Sequence, residues 1–212
     1  HAKKQYELDG KVIHTSLMNV LDKKNVNRMI GDIYETHGSI DILVNNAGGS
    51  LYTPKNLEEI EEEHWNLVLN VNLRGTFFCS QAVVPFMKKQ RKGSIINISS
   101  IGGRSASPVT GVAYAAAKGG IISFSRRLAY EVGKDGIRVN TIAPGLVISG
   151  KRMQGMWDAM SHEEQQSVTN SIPLRRFGEA HEQAKVIAFL ASDESAYMNG
   201  AVLDVNGGRF MP

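Results

Sequence analysis

Ile40-Asp41-Ile42-Leu43-Val44-Asn45-Asn46-Ala47-Gly48-Gly49 decides the fold of this 212-residue chain. The run Ile40–Val44 is short, almost wholly apolar and closed by a Gly-Gly turn. That pattern predicts a strand buried on both faces of a parallel sheet. From about Leu57 to Lys89 the apolar positions Trp65, Leu69, Phe77, Val84 and Met87 predict one long helical region, with Pro85 expected to kink or shorten it near its end.

The same alternation runs outward in both directions. Lys11–Leu17 reads as a strand, and Asp22 caps a helix that runs to about His37 and stops at Gly38. Ser94–Ile98 is the next strand, followed by a Ser/Gly/Pro-rich loop from Ser99 to Thr110 and a helix to about Gly133. Lys134-Asp135-Gly136 turns the chain into the strand Ile137–Ile142. A polar stretch containing Met, Gln and Trp follows Pro144-Gly145, and residues 146–173 read as a helical lid or insertion. A helix from Glu179 to Ala191 and a strand near Ala201–Asp204 complete the pattern. Strands alternating with helices of this length mean an α/β fold with a parallel sheet, here in one domain over 1–212.

Composition narrows the function. With 42% hydrophobic and 21% charged residues the chain suits a soluble globular domain. A net charge of +3, spread along the chain apart from Lys88–Lys92 and Arg126-Arg127, argues against nucleic acid. The single Cys79, set among Phe77, Phe78 and Ala82, excludes an internal disulfide and suits a reducing cytoplasm. No apolar run reaches the roughly 18 residues of a membrane span, and no secretory signal is visible.

Within Gly111-Val112-Ala113-Tyr114-Ala115-Ala116-Ala117-Lys118, a phenol and an ammonium stand one helical turn apart. Side chains four apart share a helix face at about 5–6 Å. Two unit charges at that range, in an effective dielectric near 20, interact by about 3 kcal/mol. That suffices to bring a phenol's ionisation towards the range useful to an acid/base catalyst. An isolated match of this kind is more often a surface Tyr beside a solvated Lys, so its surroundings decide. Asn45-Asn46-Ala47-Gly48, Ser99-Ser100 and Pro144-Gly145 each follow a strand, where open α/β sheets bind ligands, and Asn72 lies in Asn70-Val71-Asn72-Leu73-Arg74-Gly75 within the long helix.

Taken together, Asn-Asn-Ala-Gly, Asn-x-x-Gly, Ile-Ser-Ser, Tyr-x-x-x-Lys and Pro-Gly resemble the short-chain dehydrogenase/reductase family over essentially the whole chain. The resemblance implies a doubly wound parallel sheet of Rossmann type and an NAD(P)-dependent oxidoreductase that interconverts a carbonyl and a secondary alcohol. It implies catalytic roles for Asn72, Ser100, Tyr114 and Lys118: Tyr114 as acid/base, Lys118 as its ammonium neighbour and ribose ligand, Ser100 as the group that orients the substrate oxygen, and Asn72 as holder of a relay water. Ser99 is the alternative serine. Cofactor contacts implied in the same way are Asn19, Val20, Asn45, Ala47, Gly48, Tyr114, Lys118, Pro144, Gly145, Val147 and Ser149. NAD or NADP is the implied cofactor, no metal is implied, and a homotetramer is the implied assembly.

The resemblance also has gaps. No Gly-rich turn of the Thr-Gly-x-x-x-Gly-x-Gly type is present, and Lys11–Leu17 looks like the family's third strand, so the first two strands are expected to be missing. Either the 212 residues are part of a longer chain, or the sheet is truly shortened. Within the family the chain most resembles bacterial 3-oxoacyl-(acyl-carrier-protein) reductases and related sugar-alcohol or secondary-alcohol dehydrogenases. Arg91 falls where a carrier-docking base would stand, whereas Asp135 takes the place of the other, so a free small carbonyl or alcohol is a comparable substrate. The alternative reading is a non-catalytic Rossmann-type protein that binds a ligand or partner without turnover. Met153, Met156, Trp157 and Met160 would give the lid an adaptable apolar face.

Overall fold

The computed structural model describes residues 4–8, 10–107, 109–148 and 150–212, and of residues 4–8 and 152 the backbone alone. The first element is an antiparallel hairpin, β1 (Lys4–Leu8) with β2 (Lys11–Thr15). This corrects the placement of Lys11–Leu17 as a strand of the parallel sheet. The strand ends at Thr15 and pairs with its own neighbour, leaving Val12 and Ile13 exposed. Helix α1 (Lys23–His37) begins and ends as its caps predict. Asp22 accepts from the amides of Lys24 and Asn25, and Gly38 closes the helix in a left-handed conformation.

The main sheet has four parallel strands, and its first is β3 (Ile42–Asn45). A helical region then runs in three pieces: α2 (Glu62–Leu69), a π-turn over Asn70–Arg74, and α3 (Gly75–Gln90). The single long helix read from the sequence is therefore interrupted, although Pro85 does not end α3. Next come β4 (Gly93–Ile98), α4 (Val112–Val132) and β5 (Ile137–Pro144). A two-residue strand β6 (Val147–Ile148) leads to α5 (Lys151–Asp158) and α6 (His162–Asn170). Strand β7 (Gly178–Glu179) then pairs with β6, so these two short strands bracket both lid helices. Helix α7 (Ala180–Ala191) and strand β8 (Val202–Val205) follow, and the sheet order is β3-β4-β5-β8.

Helices cover both faces of this sheet, because alternate residues of each strand point to opposite sides. Ile95 and Val139 pack with α1, α3 and α4 through Val26, Phe78, Val83, Met87 and Ala129. Ile96 and Ile142 pack with α7 through Leu190 and Val186. Strand β3 departs from expectation: Ile42 and Val44 are exposed, since β4 is its one sheet neighbour among the described residues. Burial on both faces needs cover as well as an apolar run. No helix among the described residues is long and apolar enough to cross a membrane.

Candidate active site

The carboxyl ends of β4 and β5, the N-terminal turns of α4 and the lid helices surround a cleft of about 790 Å³. Ser99, Ser100, Tyr114, Lys118, Gly48, Pro144, Gly145 and Val147 all line it. Of the expected proton-transfer residues, Ser100 comes from the end of β4 and Tyr114 and Lys118 from α4, whereas Asn72 does not line the cleft.

Buried polar contacts fix α4 against the sheet. Ser99 is buried and its Oγ donates to the Lys118 carbonyl at 2.7 Å. One turn pair further on, Asn97 Nδ2 donates to Ser125 Oγ at 2.8 Å, and that hydroxyl donates to the Ile121 carbonyl at 2.6 Å. With its hydrogen spent on α4, Ser99 is a structural serine. Ser100 differs: its Oγ accepts from the Gly102 amide at 3.1 Å, which leaves its O–H to donate into the cleft.

Lys118 is 3% exposed, and its ammonium donates to the Ile98 carbonyl at 2.8 Å. Burial lowers its pKa from 10.5 to about 8. The same ammonium lies 5.5 Å from the centre of the Tyr114 ring, the separation expected for side chains one turn apart. Tyr114 packs with Val68, Ala113 and Ala117, so its ring is held on its apolar side while it borders the cleft.

Asn72 is wholly buried in the π-turn, where its Nδ2 donates to the carbonyls of Gly49 and Val68 at 2.9 and 2.8 Å. Its Oδ1 accepts from the Gly49 amide at 3.0 Å. The Asn72 carbonyl accepts from the Gly75 amide and from Thr76 Oγ1, the latter at 2.8 Å. Asn72 therefore pins the Gly48-Gly49 turn beside Lys118. A Cβ on Gly48 would run into the Asn72 amide and come within 3.4 Å of Lys118 Nζ.

Other expected contacts lie elsewhere. The Asn45 amide is spent in the core, donating to Asn97 Oδ1 at 2.8 Å and Ser80 Oγ at 3.1 Å, and it does not line the cleft. Its neighbour Asn46 does, whereas Ala47 is exposed beside the cleft without lining it. Asn19 forms a turn ahead of α1, its Oδ1 accepting from the Leu21 amide, and Val20 packs on the core near Gly75; neither reaches the cleft. Ser149 lies outside the described residues. Arg91 is paired rather than available: Nη1 meets Asp135 Oδ1 at 3.0 Å and Nη2 donates to the Lys134 carbonyl at 2.9 Å. Lys88 reaches the same carboxylate at 3.3 Å. This cluster precedes β4 and β5, at the end of the sheet opposite the cleft.

Two parts of the site carry no motif in the sequence. A strap over 50–55 contributes Ser50, Thr53, Pro54 and Lys55 to the cleft. Its Leu51 and Tyr52 hold left-handed φ values of 57° and 60°, each at a cost of about 1–3 kcal/mol. On the far wall Phe177, Gln183 and Ile187 join Met153, Met156, Trp157 and Met160, and Trp157 meets Phe177 edge-on at 4.6 Å.

The Ser100 turn is clamped from two sides. Arg104 forms a bidentate pair with Asp204 at 3.1 and 2.7 Å. Gly103 meanwhile lies so close to α4 that a Cβ there would stand 2.5 Å from the Lys118 carbonyl carbon and 2.7 Å from the Gly119 nitrogen. Both obstacles are backbone, so Gly103→Ala must push the Ser100 turn off the helix. The expected result is a loss of about 1–3 kcal/mol in denaturant unfolding. Turnover should fall at least about tenfold, since a small misplacement of a positioning group is costly. Stability and kcat equal to those of the parent would contradict the clamp.

The size of the cleft and the buried ammonium on its floor fit the nicotinamide half of a dinucleotide. Gly48 packs tightly against Asn72 and Gly145 against Asn206, so neither position has room for a Cβ, and Lys118 presents a buried ammonium beside Tyr114 and the Gly48-Gly49 turn.

Residues 2–209 match a family model described as "Enoyl-(Acyl carrier protein) reductase". The chain is 40% identical over 201 residues to the 3-oxoacyl-(acyl-carrier-protein) reductase FabG of Thermotoga maritima, an overlap of 95% of this chain and 78% of that protein. It is 41% identical over 194 residues to the protein of the same name from Staphylococcus aureus, covering 91% and 75%. Its fold is similar to a crystal structure from Burkholderia xenovorans described as a short-chain dehydrogenase/reductase. There the TM-score is 0.82 at 34% identity, over 92% of this chain and 73% of the other.

Proposed function

This chain belongs to the short-chain dehydrogenase/reductase family, and from that premise we propose that it reduces the ketone of a 3-oxoacyl thioester to a secondary alcohol, with Tyr114 as the proton donor. As a member it is an NAD(P)-dependent oxidoreductase. The observation that carries the finer reading is the convergence of Ser100, Tyr114 and Lys118 on one cleft with an apolar far wall.

A nicotinamide dinucleotide bound in the cleft would supply the hydride for the ketone carbon. Gly48, Lys118 and the segment Pro144–Val147 would hold its nicotinamide end. Ser100 donates a hydrogen bond to the ketone oxygen and sets its orientation. Tyr114 gives its hydroxyl proton to that oxygen as negative charge gathers there, so the C=O π bond becomes a C–O–H group. Lys118 stabilises the phenolate left behind, a larger effect in a dry site than in water. Asn72 acts at one remove, by holding the Gly48-Gly49 turn that forms one wall. The methionines of the lid pack against an acyl chain.

The thioester reading draws support from the names of the relatives and from the apolar wall. The Arg91–Asp135 pairing removes one of the expected carrier contacts, so this reading rests on the acyl chain and the ketone rather than on carrier docking. The test is the decay of nicotinamide absorbance with NADPH or NADH and a short 3-oxoacyl thioester, beside simple ketones. Turnover of the thioester above the ketones is expected. Absence of turnover and of dinucleotide binding would overturn the enzymatic reading in favour of a non-catalytic ligand-binding protein.

A further inference from the structure

Among the described residues lining the cleft two side chains are charged, and both are cations: Lys118 on its floor and Lys55 at its rim. No described Asp or Glu borders it. Lys118 is buried beside Tyr114 and engaged with the Ile98 carbonyl. Lys55 is exposed and forms no ion pair with a described carboxylate, although an acidic run follows it. Glu58 and Glu59 of that run do not line the cleft, and Glu59 accepts from Asn56 Nδ2 at 3.1 Å.

The backbone of Lys55 is held in place. Its carbonyl accepts from the Val112 amide at 3.3 Å, and a Cβ on Gly111 would stand 3.0 Å from its Cα. The left-handed pair Leu51-Tyr52 bends the strap so that Ser50, Thr53, Pro54 and Lys55 face the cleft. The result is a cleft with Tyr114 and Lys118 on its floor, an apolar wall of Met153, Met156, Trp157 and Met160, and a cationic side chain on a fixed backbone at its mouth.

We propose that Lys55 is a specificity-determining residue that reads an anionic group on the substrate, a carboxylate or a phosphate ester, beyond the carbonyl that is reduced. This rests on the carbonyl-reduction reading above and names the substrate class within it. An unpaired cation at the rim, with no acid facing it, favours an anionic ligand over its neutral counterpart. The anion can come from a free oxo acid or from the phosphate of a thioester's pantetheine arm, and paired ligands separate the two.

The experiment compares parent, Lys55→Met and Lys55→Glu on a 3-oxoacyl-phosphopantetheine against the corresponding pantetheine thioester, and on a free oxo acid against its methyl ester. For the charged member of the relevant pair, KM should rise about tenfold in Lys55→Met and further in Lys55→Glu, at constant kcat. The neutral member should be unaffected, and the pair that responds identifies the anion. An equal effect on charged and neutral members, or none, overturns the proposal. Binding supplies a readout that does not need turnover: with Trp65→Phe as background, Trp157 in the cleft wall reports titration by the same four compounds through its fluorescence. If the parent reduces nothing, the carbonyl reading fails on that result alone. A charge preference in binding that Lys55→Met abolishes would still sustain the role of Lys55, and its absence would reject it.

Discussion

Tyr114→Phe is expected to lower kcat by about 10²–10⁴-fold, the range set by loss of a general acid, while leaving dinucleotide affinity within about twofold. The substitution removes one oxygen and nothing else from the cleft. The ring keeps its packing against Val68, Ala113 and Ala117, so the fold and the Lys118 position persist. On α4 the one other acid beside it is the Lys118 ammonium, which is held on the Ile98 carbonyl, and the remaining neighbours are Ala113, Ala115, Ala116 and Ala117. Ser100 retains a hydroxyl, but one tied to the Gly102 amide and far too weak an acid to take the role at neutral pH. Steady-state kinetics and a fluorescence titration of NADPH on the same preparation check both halves. Retention of more than a tenth of the parent kcat would remove Tyr114 from the mechanism.

Lys118→Met should be nearly as damaging to turnover, on the order of 10²–10³-fold, and it carries a second signature in stability. Burial holds the folded pKa near 8 against 10.5 for the free side chain, so folding the ammonium into the site opposes stability by about 3 kcal/mol. Between pH 8 and 10.5 the unfolded chain binds a proton at this side chain that the folded chain does not, so stability from this group rises with pH. Below pH 8 both states are protonated and the cost is present in full. Lys118→Met lacks this group, while the remaining titrating groups are shared with the parent. Denaturant unfolding at a series of pH values should therefore show the parent gaining on the variant by about 3 kcal/mol between pH 8 and 10.5. In the parent, kcat/KM for reduction should fall as pH rises through about 8, where the ammonium loses its charge. A parent-to-variant stability difference independent of pH would mean that the side chain is not buried as an ammonium.

Features set by local chemistry were legible before the fold was known. Asp22 and Gly38 bound α1 because a carboxylate at the start and a left-handed glycine at the end act within one turn. Ile95-Ile96 and the run Ile137–Ile142 read as buried strands because they have cover on both faces. The Tyr114–Lys118 spacing put both side chains on one helix face, and Pro144-Gly145 fell at a strand end in the cleft.

Features set by a remote neighbour were not legible. Ile42 and Val44 look like core and are exposed, because burial belongs to the adjoining strand as much as to the residue. Val12 and Ile13 read as a strand, yet their antiparallel pairing with residues 4–8 depends on the turn between them. Asn45 serves the core rather than the cleft because Asn97 and Ser80 meet it from other elements. The Arg91–Asp135 pair joins residues 44 apart in sequence, and neither residue alone foretells it. The strap over 50–55 lacks any residue pattern that announces left-handed Leu and Tyr.

The π-turn at Asn70–Arg74 has a consequence for tolerated changes in chain length. Each residue of an α-helix advances it by about 100°, so a segment wound i to i+5 takes up one residue more than its turn requires and shifts the rotational phase of everything beyond it. Helix α2 thereby lays Val68 against Ala113 and Ala117, while α3 lays Phe86 against Tyr34 of α1. Removing one residue from 70–74 would rewind the two helices into a single screw, and then one of those two contacts must swing away. Loops elsewhere on this surface can absorb an insertion or deletion, but here a single-residue deletion acts as a quarter-turn of half the layer.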